Sequence, residues 1–111
     1  MNTHHTDDFY CDMVFSGKVK VKKVKETDNI LAFHHTQPSW ETHIVIVPKE
    51  HIPKLTDVTD MNLVKEIFQI AKEIITENNW DEKNYRIITN GGEFQDSKHL
   101  HFHLISGDKL K

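Results

Sequence analysis

The chain contains a single cysteine, Cys11, among its 111 residues. An internal disulfide is therefore excluded, and the count fits a reducing cytosol. No apolar run approaches the length of a membrane span, about 18 residues. Met1 to Asp8 are polar and acidic and hold no signal-peptide core. Prolines and glycines are few, and neither a repeat, a low-complexity segment nor a linker interrupts the chain. A formal net charge of −3 gives no global pull toward nucleic acid or membrane. These absences lead us to expect one cytoplasmic domain over 1–111, with 1–8 as a loose N-terminal segment and no nucleic-acid or membrane partner. His4 and His5 in that segment are too few for a purification tag.

What the chain does have is histidine, nine in all. Three of them stand in His99-Leu100-His101-Phe102-His103-Leu104-Ile105. In a β-strand, successive side chains point to opposite faces, so His99, His101 and His103 would share one face and Leu100, Phe102 and Leu104 the other. In a helix both sets would fan out, so the pattern predicts a strand with a core face and a histidine face.

The rest of the chain supplies a frame. Apolar residues at 9, 10, 13 and 14 have helical spacing, and Gly17 closes a short helix. Lys18 to Lys25 holds five lysines and three valines, and reads as a solvated edge strand starting near Val21 or Lys22 rather than a nucleic-acid patch. A turn at Glu26–Asn29 leads into a second strand at Ile30–Phe33, hairpin-paired to the first. Thr42–Val47 is an unbroken β-branched strand stopped by Pro48. One long helix follows, roughly 60–78, capped by Thr59 or Asp60. Its apolar stripe includes Met61, Val64, Ile67, Phe68, Ala71, Ile74 and Ile75. Tyr85–Thr89 and the histidine strand complete the set. Strands joined in runs rather than alternating with helices predict an α+β fold, an antiparallel sheet with helices on one face.

Three readings of the histidine row follow from chemistry. It is a set of polar residues on the wet face of a sheet, or part of a metal site, or a centre for phosphate chemistry. Neutral imidazole is a good nucleophile toward phosphorus, and neighbouring N–H donors stabilise phosphoryl charge. The residues themselves leave the metal and phosphate readings level.

The His-φ-His-φ-His-φ-φ run resembles the signature of the histidine triad (HIT) family, in its short Hint-like branch. Phe9-Tyr10-Cys11, Gly17, Glu26-Thr27-Asp28, Leu31-Ala32-Phe33-His34, Thr42 to Ile52, Arg86 to Asn90 and Gln95 fall in that branch's order. The resemblance runs from about Phe9 to Gly107. It implies a five-stranded antiparallel sheet with one long and one short helix, doubled by a two-fold dimer. It also implies hydrolysis or nucleotidyl transfer on purine nucleoside phosphoramidates or related nucleotide conjugates. His101 would attack the α-phosphorus and form a covalent nucleotidyl-histidine. His103 would contact the phosphate, His99 and His43 would orient the site, and Asn90 and Gln95 would add polar contacts. Phe33, His35 and Thr36 would line the nucleoside pocket.

The chain also departs from the family. His35 stands where the family usually has an aspartate that helps bind ribose, and Thr36 where an aliphatic residue packs on the base. Asp96, followed by Ser97, stands where a serine or threonine faces the leaving group, making both residues leaving-group or proton-donor candidates. Some bacterial relatives hold a structural zinc with a Cys-x-x-Cys pair, of which this chain has only Cys11. Zinc through Cys11, His51 and His99 is the alternative to the expectation of no metal and no cofactor. The rival functional reading is a nucleotide-binding or scaffolding protein with little catalysis.

Overall fold

The computed structural model describes residues 9–110; the expected loose segment 1–8 lies outside them. A short helical segment at Tyr10–Val14 comes first. Its turn closes at Gly17, whose φ of 82° suits the residue without a Cβ. Strands β1 (Lys23–Glu26), β2 (Ile30–His34) and β3 (Trp40–Pro48) follow, then helix α1 (Asn62–Glu77), β4 (Arg86–Thr89) and β5 (Phe102–Lys109). The five strands form one antiparallel sheet in the order β1-β2-β3-β5-β4. None of the described helices is long and apolar enough to cross a membrane.

The sheet is covered on both faces, not on one as the strand order predicts. Ile30, Ala32, Ile44, Ile46, Phe102 and Leu104 pack with Ile67, Ile70, Ala71 and Ile74 of α1. The alternate residues Leu31, Phe33, Val45 and Val47 pack on Tyr10 and Val14 of the N-terminal segment. An unbroken apolar strand such as Ile44–Val47 buries side chains on both sides and so needs two covers. The second cover also resolves the valines of the lysine run. Val21 packs toward the N-terminal segment and Val24 toward α1, with a register shift between Lys23 and Lys25. Lys25 reaches Glu77 at 2.8 Å and Glu73 at 3.6 Å, tying the edge strand to α1.

Helix α1 begins where Asp60 Oδ1 accepts the Asn62 N–H at 3.0 Å. It ends where Asn79 turns left-handed, at φ 57°. Its buried arc is narrower than the predicted stripe. Ile67, Ile70, Ala71, Ile74 and Ile75 are inside, each isoleucine contributing about 1.5–3 kcal/mol by burial. Met61 and Phe68 are 60% and 46% exposed, because the sheet beneath is filled by the isoleucines. Phe68 meets Phe102 edge-on, with ring centroids 5.9 Å apart.

Candidate functional site

The histidine row is not one strand. β5 starts at Phe102, so His99 and His101 lie in irregular chain before it and only His103 is in the sheet. The approach segment is pinned from outside the sheet. Leu100 N–H donates to Ile52 O at 2.7 Å, and the Gln95 side-chain amide donates to Pro53 O and Ser97 O at 2.6 and 2.9 Å. The predicted apolar partners Leu100, Phe102 and Leu104 do face the α1 core. The three imidazoles, however, go to two different places.

His101 and His103 stay together, with ring centroids 5.0 Å apart and planes nearly perpendicular. They line a cavity of about 410 Å³ with Phe33, His35, Asp96 and Ser97. Phe9, Tyr10 and Val45 give this cavity its apolar wall. Sequence reasoning missed these three as site residues. The available signal was the two-faced burial of β3, which demands that the N-terminal segment lie over the histidine side.

Ring tautomers follow from the backbone groups they touch. His101 Nδ1 lies 2.7 Å from His99 O; a carbonyl only accepts, so Nδ1 carries the hydrogen and Nε2 keeps its lone pair. Ser39 N–H donates to His43 Nδ1 at 3.0 Å, which puts the His43 hydrogen on Nε2. That Nε2–H donates to His103 Nδ1 at 2.8 Å, which in turn puts the His103 hydrogen on Nε2. Desolvation, with His101, His43 and His35 adding repulsion, lowers the His103 pKa from 6.5 to about 3. His103 is therefore a neutral donor at physiological pH. The cavity thus holds one imidazole with a lone pair and one with an N–H, side by side.

His35 joins this group from the chain after β2. Its ring stacks on His43 at 4.3 Å, and its Nδ1 accepts the Gln37 N–H at 2.9 Å. Ring nitrogens of His35, His43 and His103 all lie within 4.8 Å of one another, a spacing that suits a metal ion. Their tautomers do not suit one. In His35 and His43 the lone pair is engaged by a backbone N–H, so the other nitrogen donates rather than ligates.

His99 belongs to a second cluster. It is fully buried, and its Nε2 donates to Pro48 O at 2.7 Å. Its Nδ1 then faces Cys11 Sγ at 3.5 Å, and His51 Nδ1 lies 3.7 Å from the same sulfur. The three donor atoms lie within 4.8 Å of one another. Here the carbonyl bond leaves the His99 lone pair turned toward the cluster, as in histidines that bind a metal through one ring nitrogen while the other donates to a carbonyl. Cys11, His51 and His99 therefore fit zinc by donor type and orientation, and they are the residues that would hold it.

Two predicted contacts do not reach the cavity. Gln95 is buried and its amide is spent on Pro53 and Ser97, while Asn90 lies outside the lining. The Gln95 side chain turns to the Ile52–Pro53 segment, while the next two residues of the same loop reach the cavity of the imidazoles. Thr36, Asp96 and Ser97 do line it. Ser97 Oγ also accepts the Phe9 N–H at 3.0 Å, which holds the N-terminal wall in place.

Comparison with known proteins adds an independent line. A family model described as the HIT domain matches residues 16–110. An uncharacterized HIT-like protein of Azospirillum brasilense is 34% identical over 102 residues, covering 87% of this chain and 84% of its own length. The adenosine 5′-monophosphoramidase of Candida albicans is 32% identical over 110 residues, covering 91% and 70%. Among solved structures, a histidine triad protein from Clostridium difficile superposes with a TM-score of 0.82 at 34% identity, covering 98% of this chain and 97% of that one. A HIT family hydrolase from Legionella pneumophila gives 0.81 at 31% identity, covering 94% and 96%.

Proposed function

The chain belongs to the HIT (histidine triad) family, and on that premise we propose that it hydrolyses purine nucleoside phosphoramidates or related nucleotide conjugates. The observation that carries this reading is the fixed pair of tautomers in one cavity. His101 Nε2 offers a lone pair while His103 Nε2 offers a hydrogen beside it. That is what attack on phosphorus requires: a nucleophile, and a donor for the charge that builds on the phosphoryl oxygens. The name of the Candida albicans relative, an adenosine 5′-monophosphoramidase, supports the substrate class.

In the proposed reaction, His101 Nε2 attacks the α-phosphorus. An N–P bond forms as the bond to the departing amine breaks. The amine takes a proton on the side of the cavity where Asp96 and Ser97 stand. Water then attacks the same phosphorus, and the electron pair of the N–P bond returns to Nε2. The proton lost by water replaces the one given to the amine. His103 and, through it, His43 hold the phosphoryl oxygens, and the apolar wall of Phe9, Tyr10, Phe33 and Val45 receives the base. These steps run on the chain's own imidazoles. A zinc ion at Cys11, His51 and His99 would supply a structural cross-link.

A homodimer belongs to the same proposal. β4 is an edge strand, and Phe68 and Phe94 are 46% and 82% exposed. A second copy would cover such apolar surface, and light scattering on the purified chain tests this.

The function is tested with adenosine 5′-phosphoramidate as substrate. His101→Gly is expected to abolish turnover and leave AMP binding within a few-fold of the native value. Full activity in that variant overturns the mechanism. Calorimetric binding of AMP by the native chain without any turnover would favour the nucleotide-binding alternative.

A further inference from the structure

We propose that His35 is a phosphate-binding residue, and that this pocket therefore selects its substrates by their phosphate rather than by the ribose diol. The inference rests on the function proposed above and narrows its substrate class. Its basis is the hydrogen position on His35. The Gln37 N–H at 2.9 Å occupies the Nδ1 lone pair, so the neutral ring carries its hydrogen on Nε2 and acts there as a donor. The ring lines the same cavity as His101 and His103. Its centroid is 6.0 Å from that of His103, the two planes lie within 28° of parallel, and ring nitrogens of the two residues come within 4.8 Å. Both rings stand on the wall of one cavity, and a phosphoryl group seated there offers an oxygen to each: its oxygens lie about 2.5 Å apart, and an N–H···O bond is about 2.8 Å long. His35 and His103 thus form a pair of donors for one anion, and His43 fixes the His103 tautomer from behind by donating to its Nδ1.

The same chemistry leaves the ribose weakly read. A vicinal diol is two donors and is held best by an ionised carboxylate, which accepts both. The cavity wall after β2 offers His35, Thr36 and Gln37, with no carboxylate among them. Asp96 is the lining carboxylate, and it comes from the other wall, before β5. The expected substrates are therefore phosphoramidates whose sugar hydroxyls are dispensable, deoxynucleotide conjugates included.

Two measurements decide the matter. First, kcat/KM is compared for adenosine 5′-phosphoramidate and its 2′,3′-dideoxy analogue. The native chain is expected to turn over both within about threefold, and His35→Asp to favour the ribonucleoside by about tenfold or more. A native preference of tenfold or more for the ribonucleoside overturns the proposal. Second, calorimetry compares AMP with adenosine. His35→Ala is expected to cut the affinity ratio of AMP to adenosine by about tenfold; an unchanged ratio overturns the proposal. Both readouts are ratios, which partial unfolding leaves unmoved. If neither phosphoramidate is turned over, the catalytic reading fails, while the AMP-to-adenosine ratio still tests His35.

Discussion

His43 gives its one ring hydrogen to His103 across 2.8 Å, and the backbone N–H of Ser39 is what obliges it to do so. The loop between β2 and β3 thereby sets which nitrogen of a β5 residue can donate. His43→Ala would leave His103 free to adopt either tautomer and to rotate. We expect kcat to fall by about tenfold to a hundredfold, the scale of a misplaced catalytic contact. KM is expected to change far less, because the apolar wall of Phe9, Tyr10, Phe33 and Val45 is untouched. Steady-state kinetics on a nucleoside phosphoramidate checks the split.

Stability should depend on pH through His103. Its pKa is about 3 in the folded chain against 6.5 for the ordinary imidazole. Between these values the unfolded chain binds a proton that the folded chain refuses. Stability is therefore fully present above pH 6.5 and is lost as pH falls toward 3, by at most about 1.4 kcal/mol per pH unit for this one group. Urea midpoints at pH 7, 6 and 5 measure the slope. His103→Asn is expected to flatten it.

Gln95 staples the approach segment through its buried amide. Gln95→Ala removes two hydrogen bonds from a buried amide and strands the carbonyls of Pro53 and Ser97. A loss of about 1–3 kcal/mol is expected in urea unfolding. AMP affinity, measured by calorimetry, is expected to move less than threefold.

Zinc should stabilise the fold through Cys11. Added Zn²⁺ in excess of its Kd is expected to raise the unfolding midpoint, by about 2.7 kcal/mol at a hundredfold excess. Cys11→Ser is expected to abolish most of that response. Thermal unfolding with zinc and with a chelator checks it, alongside elemental analysis of protein purified without added metal.

Much of the frame was legible in the residues. Alternation at 99–105 identifies the core side of that segment, Pro48 marks the end of β3, and Asp60, one of the two cap candidates, accepts the Asn62 N–H just ahead of α1. The His101–His103 pair was visible as residues, but its chemistry was not. Tautomers come from Ser39 N–H and His99 O, backbone groups whose positions no side-chain pattern encodes. Period-two counting places His99 on one face with His101 and His103 because it assumes an unbroken strand. The hydrogen bonds of Leu100 and Gln95 to Ile52 and Pro53 break that assumption. The roles of Asn90 and Gln95 come from the resemblance; Gln95 turns to Pro53 and Ser97, and Asn90 lies outside the cavity lining. Phe68 follows the helical period faithfully, yet it is 46% exposed and meets Phe102 edge-on.

The bond from His101 Nδ1 to the carbonyl of His99 carries one more consequence. Position 99 holds His101 with its backbone carbonyl and faces Cys11 and Pro48 O with its side chain. The two duties are separable by substitution: any residue at 99 brings the same carbonyl, while only the imidazole bridges the Cys11 cluster to the end of β3.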